Sequence, residues 1–149
     1  MEYFDTIIVG SGPGGYMSAK LLLEKRKRVA LVEKSLFGGV CLNAGCIPKE
    51  GLYKLALSES KPEWKVAVQR IQGKVIEIRD TALKSLVSKG LTYIEGEGEL
   101  IDERVVKVGS RRLTAQHIIL ACGSKQREPG ISPEDILRGL ILPKGNVCV

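Results

Sequence analysis

Two cysteines, Cys41 and Cys46, carry the clearest chemical signal in this 149-residue sequence. They stand in Gly38-Gly39-Val40-Cys41-Leu42-Asn43-Ala44-Gly45-Cys46-Ile47-Pro48. Thiols this close can make and break a disulfide, storing or releasing two electrons. Their spacing is not that of a thioredoxin pair. A zinc site would need a second ligand pair, yet the sequence has one histidine, His117, and no other closely spaced cysteines. Two inert core thiols are the bland alternative. The surrounding glycines let the backbone fold the cysteines together and lie close to a flat ring system. A helix starting here would favour the thiolate that exchange requires.

The second signal is Gly10-x-Gly12-x-x-Gly15, which follows an apolar strand-like run and opens a helix-like one. Gly10 permits a tight turn, and Gly12 lets backbone approach a pyrophosphate with no side chain between. Gly15 and Ala19 allow helix to pack on strand. Pro13 and Gly14 complete the turn, and the helix start offers amide donors to phosphate. Glu33 follows Gly10 at the distance where a carboxylate can accept hydrogen bonds from an adenosine ribose, and it would repel a 2′-phosphate. These features specify a dinucleotide without separating FAD from NAD.

The elements needed to position both groups can be read from pattern. Tyr3 to Val9 is a buried strand, Tyr16 to Glu24 a helix and Val29 to Glu33 a strand, giving a βαβ unit over 3–33. A redox-cysteine helix is expected over 41–57, and a long amphipathic helix over 62–89, opened by Pro62 and stopped by Gly90. Residues 91–114 read as a small antiparallel β-meander turning at Asp102-Glu103 and Gly109-Ser110, and 116–121 as a separate buried strand containing a structural His117. Pro129, Gly130 and Pro133 suggest an irregular surface segment, and Asn146 to Val149 one more strand, with Cys148 a small core residue.

Composition sets outer bounds. The length suits one domain, and 44% hydrophobic with 27% charged residues argues against wholesale disorder. The net charge of +6 is spread out, and its one run, Lys25 to Arg28, reads as a solvated turn. At 5% aromatics there is no stacking platform for single-stranded nucleic acid, so no nucleic-acid partner is expected. No signal peptide opens the chain and no apolar run reaches the roughly 20 residues of a membrane helix. The expectation is a cytoplasmic protein that binds no membrane, where cysteines serve as thiols, ligands or redox centres.

The cysteine segment resembles the active-site motif of the two-cysteine pyridine nucleotide–disulfide oxidoreductases, a group that includes dihydrolipoamide dehydrogenases, glutathione reductases and mercuric reductases. The opening Tyr3-Phe4-Asp5-Thr6-Ile7-Ile8-Val9-Gly10-Ser11-Gly12-Pro13-Gly14-Gly15-Tyr16 is most similar to the dihydrolipoamide dehydrogenases. Leu31-Val32-Glu33-Lys34 resembles the group's second strand. His117-Ile118-Ile119-Leu120-Ala121-Cys122-Gly123-Ser124 resembles its later strand-and-glycine motif, with Cys122 where threonine is usual. The resemblance implies an α/β, Rossmann-like FAD-binding domain: a parallel sheet with helices plus the antiparallel meander. It implies FAD held by Gly10, Gly12, Pro13, Gly14 and Gly15, by Glu33 and Lys34, and near Gly39, Val40, Lys49, Gly98, Ala121, Cys122 and Gly123. Cys46 is then the flavin-proximal thiol and Cys41 the distal thiol that meets a dithiol or disulfide substrate such as lipoamide.

Two departures qualify that picture. Lys49 and Glu50 stand where the group usually carries a small hydroxyl residue and a lysine, so a carboxylate would lie beside the flavin. The group's chains are also about three times longer, adding NAD(P)H-binding and homodimerisation domains that are not expected here. The leading expectation is the FAD-binding portion of a disulfide reductase, without turnover of its own. The alternatives are a stand-alone flavin-binding or electron-transfer module, and a binding module that has lost its cofactor.

Overall fold

A computed structural model describes residues 2–59 and 62–124. β1 (Glu2–Val9) is the centre of a six-stranded sheet ordered β3-β2-β1-β6-β5-β4. Its parallel partners are β2 (Val29–Glu33) and β6 (Arg111–Leu120), and β2 in turn pairs in parallel with β3 (Thr92–Glu95). β5 (Val105–Val108) and β4 (Gly98–Asp102) extend the other end, with β5 antiparallel to both β6 and β4. The apolar runs Ile7-Ile8-Val9 of β1 and Val29-Ala30-Leu31-Val32 of β2 are what parallel strands covered on both faces require. Ile7, Ile8, Val29, Ala30 and Leu31 are fully buried.

One face is covered by helices. α1 (Pro13–Glu24) and α4 (Trp64–Ser88) contribute Ala19, Leu23 and Leu86 to a cluster with Ile8, Leu31 and Phe37. On the other face the sheet curls back on itself. Val106 and Val108 of β5 join Val9, Val32 and Ile94 in a second cluster. A Cβ on Gly98 would come 3.1 Å from Val9 and 3.3 Å from Val32, so a side chain there would crowd both and glycine lets β4 lie close. Among the described residues no helix is long and apolar enough to cross a membrane.

The helices end for identifiable reasons. After α4, Leu91 N donates to Leu86 O and Gly90 N to Val87 O, a closed C-terminal turn with Gly90 at φ +97°. α1 ends in the same way through Lys27 N to Leu22 O and Arg26 N to Leu23 O. There the left-handed position holds Arg26, at φ 56°. Arg28 then stacks over Phe4, 5.1 Å from the ring centroid, and its amide donates to Asp5.

Four sequence expectations need correction. The expected helix over 41–57 is two helices, α2 (Gly39–Asn43) and α3 (Cys46–Leu57), broken at Ala44-Gly45. Pro48 explains the break: inside one long helix its ring would collide with the carbonyl of residue 44, whereas in the first turn of α3 it is harmless. β3, assigned to the meander, joins the parallel sheet beside β2, leaving β4, β5 and β6 as the meander. Segments 111–114 and 116–121 form the single strand β6, since Ala115-Gln116 carries no turn residue, and within it His117 is exposed rather than buried. The long helix begins at Trp64, which leaves Pro62 ahead of it. The expectations for Pro129, Gly130, Pro133, Asn146 to Val149 and Cys148 fall outside the described residues.

Candidate functional site

The C-terminal ends of β1, β2 and β6 meet where the central sheet changes strand direction in sequence, the place where open α/β sheets hold ligands. Gly10 leaves β1 at φ +101°, and its amide donates to Val32 O. A Cβ there would lie 2.2 Å from Ala121 O, and one on Gly15 would lie 1.9 Å from Gly10 O. Both glycines are required by close backbone approach. Gly12 and Gly14 are different: nothing lies within 4 Å of a Cβ on either, so the turn is open above them. Pro13 begins α1 and no side chain caps the helix, which leaves first-turn amides to a ligand. An open glycine cradle at an uncapped helix start fits a pyrophosphate.

Glu33 ends β2 beside this turn. Its Oε2 accepts from Ser11 N at 2.9 Å and Ser11 Oγ at 2.6 Å, and its Oε1 accepts from Ser35 N at 2.9 Å. Burial pushes the carboxyl pKa up, but donors from Ser11, Ser35 and Lys34 outweigh it and hold the group below its ordinary value. A carboxylate has about four acceptor positions, so these contacts still leave room for ribose hydroxyls. The fully buried Ser11 hydroxyl also accepts from Gly38 N at 3.0 Å, tying the acid to the start of the cysteine segment.

That segment closes against the glycine turn. Gly38 and Gly39 have φ of +99° and +61°, and a Cβ on Gly39 would lie 2.8 Å from Gly12 Cα. Cys41 follows on α2, half-buried, and Cys46 is the exposed first residue of α3. The two sulfurs interact. Hydrogen bonding with the Cys46 thiol is the largest cause holding Cys41 above the ordinary thiol pKa, followed by burial and by charge on Cys46; the Cys46 amide, donating to the Cys41 sulfur, opposes them. An open hollow of about 580 Å³ beside them is lined by Ala44, Gly45, Cys46, Ile47, Lys49 and Glu50.

At the Lys49-Glu50 departure, Glu50 is flanked by two exposed lysines. Glu50 lies 3.9 Å from Lys49 Nζ and 3.7 Å from Lys54 Nζ, so its charge is offset from both sides. The Lys34 backbone donates to Glu33 while its side chain turns away from the site, and Gly98 lies at the strand ends that border the turn. Lys34 reaches out to Glu97 at 3.0 Å, and Gly98 packs on Val9 and Val32. Ala121 converges on the turn, its amide donating to Val9 O at 2.7 Å, and the Cys122 sulfur lies 3.8 Å from the same carbonyl. Gly123 follows at φ +68°. Val40 points mostly to solvent, 68% exposed.

Three participants escaped the sequence reading: Ser11, Asn43 and Arg79. Ser11 could have been suspected as the one hydroxyl inside the glycine turn, and Asn43 as the one amide between the cysteines. Nothing local in the sequence marks Arg79, which reaches the segment from α4 through Asn43.

Comparisons with known proteins identify the family and the fold. A family model described as pyridine nucleotide-disulphide oxidoreductase matches residues 4–142. The chain is 33% identical to a dihydrolipoyl dehydrogenase of Mycoplasma genitalium, over 85% of this chain and 31% of that protein. It is 36% identical to that of Chlorobaculum parvum, over 88% of this chain and 32% of that protein. A solved structure of the HOCl-induced flavoprotein disulfide reductase RclA from Escherichia coli, as its Cu(II) complex, superimposes with a TM-score of 0.80. It is 28% identical, covering 88% of this chain and 31% of that one. The chain thus spans about a third of the length of these relatives.

Proposed function

The chain belongs to the pyridine nucleotide-disulphide oxidoreductase family, and from that premise we propose that it binds FAD and uses Cys41 and Cys46 as a redox pair in dithiol–disulfide exchange. The observation that carries this reading is the continuous connection between the two centres. Gly38 N, Ser11 Oγ and Glu33 Oε2 are linked by hydrogen bonds, and Gly39 seats the cysteine segment on Gly12.

In this reading the amides of Gly14 and Gly15 hold the pyrophosphate and Glu33 accepts hydrogen bonds from the ribose. The Cys41 thiolate attacks one sulfur of a disulfide substrate; that S–S bond breaks, and the departing sulfur takes up a proton. Cys46 then attacks the Cys41–substrate disulfide, forming the Cys41–Cys46 bond and releasing the second thiol. The substrate has gained two electrons and the pair has lost them; a dithiol substrate runs the sequence backwards. FAD, when bound, supplies the two-electron chemistry that resets the pair, with NAD(P)H as its donor or acceptor in the complete enzyme. Lipoamide as substrate is part of the same proposal, supported by the names of the dihydrolipoyl dehydrogenase relatives, and a homodimer and a cytoplasmic setting are proposed with it.

Titrating the purified chain with FAD tests the reading. We expect saturable quenching of flavin fluorescence, a long-wavelength absorbance band after one equivalent of dithiol, and loss of that band, but not of the flavin, in Cys46→Ser. A folded chain that ignores FAD and forms no Cys41–Cys46 disulfide on oxidation would overturn it.

A further inference from the structure

Asn43 closes α2, two residues after Cys41 and three before Cys46. Its Nδ2 donates to Phe37 O at 3.0 Å and Gly39 O at 2.9 Å, with a longer contact to Leu36 O at 3.4 Å. On its other side Oδ1 accepts from Arg79 Nη1 at 3.4 Å. Three carbonyls facing one end and a guanidinium facing the other admit a single orientation of the amide, because a carbonyl needs a donor and a guanidinium needs an acceptor. Arg79 belongs to α4, and its side chain is 20% exposed.

The two cysteines stand on unequal supports. α3 has twelve residues and packs on α4, with Gly51 so close to Ile71 that a Cβ would fall 2.5 Å from its Cδ1. α2 has five residues, no side-chain cap and a left-handed glycine on either side of its start. A helix that short cannot hold itself by backbone bonding alone. Cys41 therefore depends on whatever fastens α2 from outside.

We infer that Asn43 is a positioning residue for the redox pair: with Arg79 it fastens α2 to α4 and so keeps Cys41 turned toward Cys46. The inference rests on the redox role proposed above. Its consequence is thermodynamic: a braced dithiol presents Cys41 to Cys46 at a high effective concentration, which favours the intramolecular disulfide over mixed disulfides with small thiols. The full chain equilibrated in glutathione buffers, trapped by alkylation and read by mass, gives that equilibrium constant directly.

Asn43→Ala should lower the constant about tenfold, equivalent to about 30 mV in midpoint potential. Arg79→Ala should lower it about threefold, Arg79→Lys should stay within about twofold of the unsubstituted chain, and Arg79→Ala added to Asn43→Ala should cost almost nothing more. Variants that lower the melting temperature while leaving the constant unchanged would reduce the brace to fold stability and overturn the inference, as would additive effects of the two alanines. If circular dichroism finds Asn43→Ala unfolded, the comparison of Arg79→Ala with Arg79→Lys decides alone. An unsubstituted chain that forms no Cys41–Cys46 disulfide in any buffer overturns the redox reading itself. A chain that forms it normally without Asn43 overturns only the brace.

Discussion

Ser11 gives its hydroxyl proton to Glu33 at 2.6 Å and accepts from Gly38 N at 3.0 Å, so one hydroxyl ties the end of β2 to the start of the cysteine segment. Losing the hydroxyl would leave the carboxylate short of its nearest donor and the Gly38 amide short of an acceptor. Ser11→Ala should cost about 1–2 kcal/mol, measured by urea unfolding at neutral pH. The pH dependence follows from the lowered Glu33 value. The folded pKa lies below the unfolded one, so this stabilisation is complete above the ordinary glutamate value and is lost as pH falls through the folded value. As pH falls through and below the ordinary glutamate range, the urea midpoint should fall more steeply for the unsubstituted chain than for Ser11→Ala.

Gly12 and Gly15 should respond oppositely to alanine. Gly12 has φ −60° and open space around a Cβ, so Gly12→Ala should keep its melting temperature within a degree or two while weakening FAD binding at least about tenfold. Gly15→Ala forces a methyl onto the Gly10 carbonyl and should cost roughly 2–3 kcal/mol of stability whether or not FAD is present.

The sulfur pair gives a third test. Because the Cys46 thiol is the largest cause of the raised Cys41 value, Cys46→Ala should lower it, leaving the amide of residue 46 still donating to the Cys41 sulfur. Iodoacetamide should then alkylate Cys41 several-fold faster near pH 8, with the inflection of the rate–pH curve moved to lower pH. An unchanged inflection would mean that burial dominates instead.

Arg26 occupies a left-handed position where glycine is at ease. Arg26→Gly should raise stability by about 0.5–1 kcal/mol, read as a higher denaturation midpoint with the same slope. The substitution lies in the basic run and outside the site, so FAD affinity should not change.

The parts legible in the sequence were those whose signals are local. The βαβ unit announced itself through unbroken apolar strands, a glycine turn and an acid at the end of β2, all within 33 residues. The hairpin turns at Asp102 and Gly109 were likewise written in turn residues. What escaped depends on partners far along the chain. β3 carries the same alternation as a meander strand, and only its pairing with Val32 and its neighbours puts it in the parallel layer. Ser11 and Glu33 are 22 residues apart and Asn43 and Arg79 are 36 apart, so no window short enough to read by pattern contains either contact. The break between α2 and α3 was readable in Pro48, which the expectation of one helix over 41–57 passed over.

The continuity of β6 bears on how the domain is made. β1 precedes the other described strands, yet one of its two hydrogen-bonded edges is filled only by β6, which begins at Arg111. During synthesis the centre of the sheet must therefore wait, one edge open, until about a hundred further residues have left the ribosome, a loop closure of the kind that slows folding. A nascent chain halted before Arg111 should behave as a sticky intermediate that recruits chaperones, and one extended past Leu120 should escape them.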